Sequence, residues 1–406
     1  MSSVKISTNS EWLVWARKTA YYDVESIAKK INKTPETIKK WEESGKIEYD
    51  NLVELAKYYQ RPTSVFFSKS KPNYEKEDIR DFRTFDNKNN VVITPEIEFE
   101  LRNARFRRKI LLNLENEYDN FEISDFLFKD FNSENIENLA QKIRSIIGMK
   151  PARFGYSLNY WIGKLESNGI LVFEFYGLDP DEIRGYALYN DKLPIIGINH
   201  REYKNPQKFT LFHELAHILL KQNSISNILD YDLRFDVETI CNQIAAEILV
   251  PSQMFKKKVP EREDNLKSND INFLANFFNV SKDLIIRKGI DLGFITNNIY
   301  KKRNAEFKFY LHERKPNKTK NKEKTIEKIS NWEMNKEDET KKLSSDEKYQ
   351  KQASEILRKN SNYFIKKIFE AYNNDLISDL ELARDLNTSL YVIDKIKENI
   401  SKEESL

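Results

Sequence analysis

The sequence has few of the residues that build disulfide frameworks, loop-rich proteins and membrane spans. Its 406 residues include one cysteine, ten glycines and eleven prolines. The single cysteine, Cys241, excludes an intramolecular disulfide and an all-cysteine zinc site, and the low glycine and proline content argues against a collagen-like or loop-dominated chain. The apolar runs are far shorter than the roughly 20 residues that span a bilayer. Because the N-terminus also lacks a basic segment followed by an apolar one, no secretory signal is predicted and we expect a soluble, cytoplasmic protein.

An excess of charge of one sign is also missing. Lysine and arginine total 67 against 64 aspartates and glutamates, which gives a net charge of +3. This balance excludes a histone-like polycation, so any contact with nucleic acid must come from a local patch. The hydrophobic fraction of 39% is sufficient for buried cores, and a chain of this length predicts two or three domains at roughly 150 residues each.

Residues 10–67 predict a compact helical unit. Val24, Ile27 and Ile31 recur at helical spacing, Thr34 and Pro35 then provide an N-cap followed by a proline in the first turn, and Gly45 ends the second helix. Two short helices joined by a tight turn are typical of a helix-turn-helix. The string D-V-E-S-I-A-K-K-I-N-K-T-P-E-T-I-K-K-W-E resembles the Cro/repressor-like (xenobiotic-response-element) class. It departs from that class at Val24, where a phosphate-contacting glutamine often stands.

If this unit binds DNA, the second helix of the motif would present four residues to the duplex. They are Glu36, Thr37, Lys39 and Lys40. In helix-turn-helix proteins the N-terminal half of this helix enters the major groove, and lysines neutralise phosphates. Two alternatives remain open at this point: a protein-docking module that grips a target repressor with the same face, and a plain helical bundle without a ligand, because a fold does not fix a function.

The pattern in the rest of the chain predicts a long helix from Pro95 to about Tyr118 and further helices, then three short strands at 169–175, 184–189 and 193–199, then helices again. This order indicates a predominantly helical α+β fold rather than a doubly wound one. The expected divisions are a helix-turn-helix domain at 1–69, a linker and long helix at 70–118, a core that contains an H-E-x-x-H string at 119–256, a helix-turn-helix-like extension at 257–300, a charged linker at 301–346 and a C-terminal helical unit at 347–406.

The chemistry is carried by an H-E-x-x-H string formed by His213, Glu214 and His217. Two imidazoles at positions i and i+4 lie one above the other on a helix face, so both can bind one metal ion. Glu214 is displaced by about 100° around the same helix, near the metal but not on it, which is where a general base must lie. The chain has only four histidines, so a chance occurrence of this string, as a pair of core or surface histidines, is improbable.

A catalytic zinc ion needs three protein ligands and an open position, so a third ligand must exist. Glu238 is the better candidate, because it begins an amphipathic helix that Pro251 ends. His200, at a predicted strand end, is the next candidate. His312 is remote and lies in the charged segment.

Two strings together resemble the ImmA/IrrE-type metallopeptidases. They are F-T-L-F-H-E-L-A-H and E-T-I-C-N-Q-I-A-A-E-I-L-V-P, within residues 190–252. The resemblance implies a zincin-like peptidase with a small sheet, in which Zn²⁺ is bound by His213, His217 and Glu238 and Glu214 is the catalytic base. It places Asn242 next to the ligands or in helix packing. Cys241 occupies a position where this family has alanine or cysteine, so we interpret it as a packing residue.

The same resemblance implies a zinc metallo-endopeptidase that cleaves a repressor-like regulatory protein. Its expected partners are a repressor or toxin-type protein substrate and, through the helix-turn-helix unit, operator DNA. Candidates for stabilising the oxyanion are His200, Tyr203 and Tyr231. The competing interpretation is a DNA-binding transcriptional regulator or antitoxin-like protein with a non-catalytic metal site. Glu214 argues against it, because a purely structural zinc site has no use for a non-ligand glutamate there.

Overall fold

The computed structural model describes residues 4–70, 93–128, 135–148, 154–226, 237–259, 266–295 and 344–404. As predicted, these residues form a predominantly helical α+β fold. Their apolar side chains gather in three hydrophobic clusters, one in the N-terminal unit and one on each face of a four-stranded sheet. None of the described helices combines the length and the apolar character that a bilayer span requires.

The N-terminal unit has its own core. Its elements are β1 (Lys5–Ser7), α1 (Ser10–Thr19), α2 (Val24–Lys30), α3 (Pro35–Ser44), β2 (Lys46–Glu48), α4 (Tyr49–Tyr59) and a 3-10 helix (Thr63–Phe67). The predicted ends of α3 are present, because the Thr34 hydroxyl accepts a hydrogen bond from the Thr37 amide at 3.3 Å and Gly45 adopts a left-handed conformation with φ of 67°. The pairing of β1 with β2 was not predicted.

The long helix α5 (Pro95–Glu117) joins the N-terminal unit to the sheet. Its predicted bounds are confirmed to within one residue. Near its start, Arg102 donates to the carbonyl of Tyr59 at 3.1 Å and to that of Thr19, which are the last residues of α4 and α1. Further along, Arg108 donates to the carbonyl of Lys192 at 2.8 Å, in the turn before β5 (Ile195–Asn199). One helix therefore contacts both units through hydrogen bonds to backbone carbonyls.

The central sheet contains the three predicted strands and a fourth. Its members are β3 (Leu171–Phe175), β4 (Gly185–Leu188), β5 (Ile195–Asn199) and β6 (Ser224–Ser226), in the order β3-β5-β4-β6. β3 and β5 are parallel, and β4 is antiparallel to both of its neighbours. The short edge strand β6 was not predicted, and it pairs with β4 so that Ser224 is opposite Ala187.

Helices cover both faces of this sheet. One face packs against α6 (Ile136–Ile146), α7 (Leu158–Glu166), α8 (Lys204–Leu219), α9 (Val237–Leu249), α10 (Ser252–Lys258), α11 (Ser268–Phe278) and α12 (Lys282–Asp291). The other face packs against α5 and the C-terminal helices α13 (Ser345–Lys359), α14 (Asn362–Asn373), α15 (Asp379–Asp385) and α16 (Leu390–Glu404). Residues 266–295 therefore pack into the core on one face of the sheet, and residues 344–404 pack into the core on the other face. The predicted domain boundaries stay predictions. Most of the predicted charged linker lies outside the described residues.

Three turns between pairs of short helices share one geometry. Each turn contains an asparagine with positive φ, namely Asn32, Asn279 and Asn387. The residue after it donates its amide to the carbonyl of a buried alanine five positions earlier, at 2.9, 3.0 and 2.8 Å respectively. Since the middle copy lies within the core around α8, this local geometry does not by itself identify a DNA-binding unit.

Candidate metal centre and active site

Helix α8 carries the H-E-x-x-H residues in the interior of the molecule. Apolar side chains surround it on nearly every side, and the side chains of His213, Glu214 and His217 are buried as well. Buried polar groups require partners, so the contacts of these three side chains show what the site can hold.

The predicted ligands converge on one point. Nε2 of His213 lies 3.1 Å from Nε2 of His217 and 3.1 Å from Oε2 of Glu238, and Nε2 of His217 lies 3.3 Å from Oε1 of Glu238. Ligand atoms about 2.0–2.1 Å from a tetrahedral zinc ion lie roughly 3.3 Å from one another. The three side chains therefore fit a zinc ion closely, and they form the one group of three or more potential ligands found within the described residues.

The charges of this cluster favour a cation at its centre. Burial works against a charged imidazole, but the hydrogen bond to Glu238 and the negative charge nearby raise the pKa of His213. Burial likewise opposes ionisation of Glu238, yet its hydrogen bonds to the two histidines hold the pKa of the carboxyl well below its usual range. Two imidazoles and an ionised carboxylate are a donor set suited to a divalent metal ion.

Asn242 orients one of the two histidines. It follows Glu238 by one turn of α9, and its Oδ1 accepts a hydrogen bond from Nδ1 of His213 at 2.9 Å. This contact fixes the tautomer that leaves Nε2 of His213 unprotonated and free to bind a metal. Of the two uses expected for Asn242, the structure supports contact with the ligands. Nδ1 of His217 has no hydrogen-bond partner among the described residues.

Glu214 lies beside the cluster but outside it. Its Oε2 accepts a hydrogen bond from the Ser224 hydroxyl at 2.5 Å, and its Oε1 has no hydrogen-bond partner within the described part of the chain. The backbone of Gly185 passes close to this carboxylate, since a Cβ there would lie 2.9 Å from Oε1. Neither Ser224 nor Gly185 was predicted as a site residue, and the one available signal in the sequence was a glycine at the start of a buried strand.

Among the described residues, the predicted candidates His200 and Tyr203 are not members of the metal cluster. Nδ1 of His200 is 2.6 Å from Oε2 of Glu174, and its ring packs on Tyr176 with centroids 4.3 Å apart. Tyr203 precedes α8 with 86% of its surface exposed. His200 is thus not a member of the ligand group. Tyr231 and His312 lie outside the described residues.

Cys241 is a packing residue of helix α9. It is fully buried in the cluster that includes α8, and burial raises the pKa of its thiol. A thiol that is both buried and protonated is neither a nucleophile nor a ready ligand.

The four residues predicted to contact DNA share helix α3. Glu36, Lys39 and Lys40 are exposed, whereas Thr37 is partly buried and its hydroxyl lies 3.1 Å from that of Thr34. Both signs of charge therefore occur on this surface, which suits a mixed partner surface as well as a phosphate backbone.

Comparison with known proteins supports the peptidase interpretation of the central region. Residues 166–288 match the family model described as Peptidase_M78, IrrE N-terminal-like domain. The matched region runs from the end of α7 into α12 and includes both histidines, Glu214 and Glu238. No curated protein matches the chain. The match supports an ImmA/IrrE-type peptidase, that is, a metal-dependent hydrolase, and it leaves the N-terminal unit outside its bounds.

Proposed function

We propose that this protein is a zinc-dependent endopeptidase that cleaves a repressor-like regulatory protein. The observation that carries the proposal is the convergence of His213, His217 and Glu238 within 3.3 Å, beside a buried glutamate that is not part of the ligand group. A purely structural site is closed by four protein ligands, whereas three ligands with an open position are typical of catalytic zinc.

The three ligand residues would hold Zn²⁺ through two imidazole nitrogens and one carboxylate. When bound, the ion supplies a Lewis acid that polarises the scissile carbonyl and activates water. Nδ1 of His213 donates to Asn242, and this hydrogen bond keeps the imidazole in the orientation and tautomer that binding needs.

Glu214 is the general base in this proposal. Its carboxylate removes a proton from the attacking water and later delivers that proton to the leaving amine, which a single ionisable group can do in sequence. The carboxylate suits this use because Oε1 has no hydrogen-bond partner among the described residues, while Oε2 is held by Ser224. His200, Tyr203 and Tyr231 remain candidates for stabilising the oxyanion.

The substrate class rests on the resemblance to ImmA/IrrE-type peptidases and on the N-terminal unit. A repressor or toxin-type protein is the proposed substrate. The short helices α2 and α3 form the proposed helix-turn-helix, which would bring the peptidase to that substrate by binding either operator DNA or the repressor itself. Glu36, Thr37, Lys39 and Lys40 are the proposed contact residues.

The alternative is a DNA-binding regulator or antitoxin-like protein whose metal site is not catalytic. A metal assay followed by a cleavage assay separates the two functions. The purified full chain is expected to contain about one zinc ion per molecule and to cleave a repressor encoded next to its own gene. A chelator is expected to abolish cleavage, and added Zn²⁺ to restore it. Stoichiometric zinc without cleavage of any neighbouring regulator, at high enzyme concentration, would favour the alternative.

A further inference from the structure

Ser224 holds the Glu214 carboxylate from outside the helix that carries it. Ser224 is the first residue of the edge strand β6, it is buried, and its hydroxyl donates to Oε2 of Glu214 at 2.5 Å. A hydrogen bond to an ionised acceptor is shorter and stronger than one between neutral groups. This contact therefore restricts a side chain that would otherwise rotate about its terminal bonds.

The hydrogen bond makes the two carboxylate oxygens unequal. Oε2 is occupied by Ser224, whereas Oε1 has no hydrogen-bond partner among the described residues although it is buried. A general base must present one oxygen within hydrogen-bond reach of the proton that it removes. A carboxylate fixed at one oxygen presents the other in a constant direction, and this lowers the entropic cost of reaching the transition state.

Gly185 supplies the space that this arrangement requires. It lies in β4, which pairs with β6, and a Cβ at this position would lie 2.9 Å from Oε1 of Glu214 and 2.6 Å from Cγ2 of Thr210. Cβ atoms are essentially never observed so close to other heavy atoms. An alanine here would push the carboxylate away or move α8 off the sheet.

We infer that Ser224 is a positioning residue for Glu214: its hydroxyl fixes Oε2 so that Oε1 receives the proton, and Gly185 leaves room for that orientation. This inference rests on the proposed function, because it assigns the orientation of the proposed base. Ser224 acts through Glu214 and contacts neither metal nor substrate.

The chain contains a matched hydrogen bond that serves as a control. Ser361, which caps α14, donates its hydroxyl to the buried carboxylate of Glu166, the last residue of α7. Ser224→Ala and Ser361→Ala thus remove the same kind of contact, but the carboxylate that Ser361 holds is neither the proposed base nor a member of the metal cluster. Gly163→Ala is the control for Gly185→Ala, because a Cβ at Gly163 meets no atom within 4 Å.

The kinetic test uses an internally quenched peptide that the zinc-loaded wild-type protein cleaves and that Glu214→Gln does not. Ser224→Ala is expected to keep zinc and KM while kcat falls roughly ten- to hundredfold, a part of what a general base contributes. Ser224→Thr, which keeps the hydroxyl, is expected to recover kcat to within a few-fold. Gly185→Ala is expected to lower kcat as well, and both control variants to retain it. An unchanged kcat in Ser224→Ala would overturn the inference, as would an equal loss in Ser361→Ala.

A second measurement needs no substrate. The melting temperatures of the metal-free wild type, Ser224→Ala, Glu214→Ala and the double variant form a thermodynamic cycle. If the two side chains are joined by a direct hydrogen bond, the melting-temperature shifts of the two single variants add up to more than the shift of the double variant. Additive shifts would show that the two side chains are not coupled and would overturn the inference. Coupled shifts, together with no cleavage of any peptide, would contradict the proposed function and leave the Ser224–Glu214 contact supported.

Discussion

Oδ1 of Asn242 lies 2.9 Å from Nδ1 of His213 and accepts a hydrogen bond from it. The asparagine stands one helical turn after Glu238 on α9, so a single helix provides both a ligand and the group that orients another ligand. Such outer contacts tune the affinity of a metal site as well as its geometry.

Substitution of this asparagine is therefore expected to weaken metal binding without removing a ligand. Asn242→Ala should lower zinc affinity about 10–100-fold, which is typical for the loss of an outer hydrogen bond to a ligating histidine. Competition with a chromophoric zinc chelator measures the effect. An affinity equal to that of the wild type would show that Asn242 serves helix packing alone.

Removal of a ligand is expected to have a larger effect. His213→Ala and Glu238→Ala should each reduce the zinc content of the purified protein well below one ion per chain, because two ligands bind zinc far less tightly than three. Elemental analysis after gel filtration measures this content, with Cys241→Ala as a matched control in the same helix as Glu238. Full occupancy in Glu238→Ala would place the third ligand elsewhere.

The buried carboxyl of Glu166, at the end of α7, is expected to make the stability of the protein depend on pH. Burial raises the pKa of this carboxyl to about 7, although hydrogen bonds from Ser361 and two backbone amides act in the opposite direction. The unfolded chain has the ordinary glutamate value of about 4.3, so the folded state binds more protons between these pH values. The stability contributed by this group is thus fully present below about pH 4.3 and is lost as the pH rises through about 7.

Glu166→Gln should remove this dependence. Relative to the variant, the wild type is expected to lose up to about 3 kcal/mol of unfolding free energy between pH 5 and pH 8, at about 1.4 kcal/mol per pKa unit. Urea unfolding at several pH values measures the difference. Parallel pH profiles of the two proteins would show that Glu166 has an ordinary pKa in the folded state.

If the N-terminal unit binds DNA, its affinity for the duplex is expected to fall as the salt concentration rises. Lys40→Ala should weaken binding to all duplexes alike and reduce the slope of log K against log salt by roughly 0.9, the value for one phosphate contact. Thr37→Ala should instead blur the preference for one sequence. Gel-shift titrations of the full chain against promoter-proximal and random duplexes test both. If no shift occurs at about 50 mM salt and micromolar protein, the unit recognises a protein instead.

The sequence was sufficient to predict the elements that have long periodic patterns and clear ends. Helix α3 has the predicted threonine cap and left-handed glycine, and α5 has its predicted start at Pro95. The convergence of His213, His217 and Glu238 was also predictable, because the first two follow from helical spacing and the third from a motif on the next helix.

The contacts around Glu214 were not predictable, for physical reasons. β6 has three residues, too few for a detectable alternation. Its Ser224 reaches Glu214 only because β6 pairs with β4 in one register. Likewise, the requirement for Gly185 arises from the close approach of α8 to the sheet, and local sequence does not encode that distance. Tertiary contacts decided these features.

The most direct test of the account is the behaviour of Glu214→Gln toward a protein substrate that the wild type cleaves. Glutamine is nearly isosteric and can still accept a hydrogen bond from Ser224, but it cannot take a proton from water. The variant is expected to bind zinc at the wild-type stoichiometry, to melt close to the wild-type temperature and to cleave at least about 10²-fold more slowly. Undiminished cleavage by the zinc-loaded variant would contradict the assignment of Glu214 as the base.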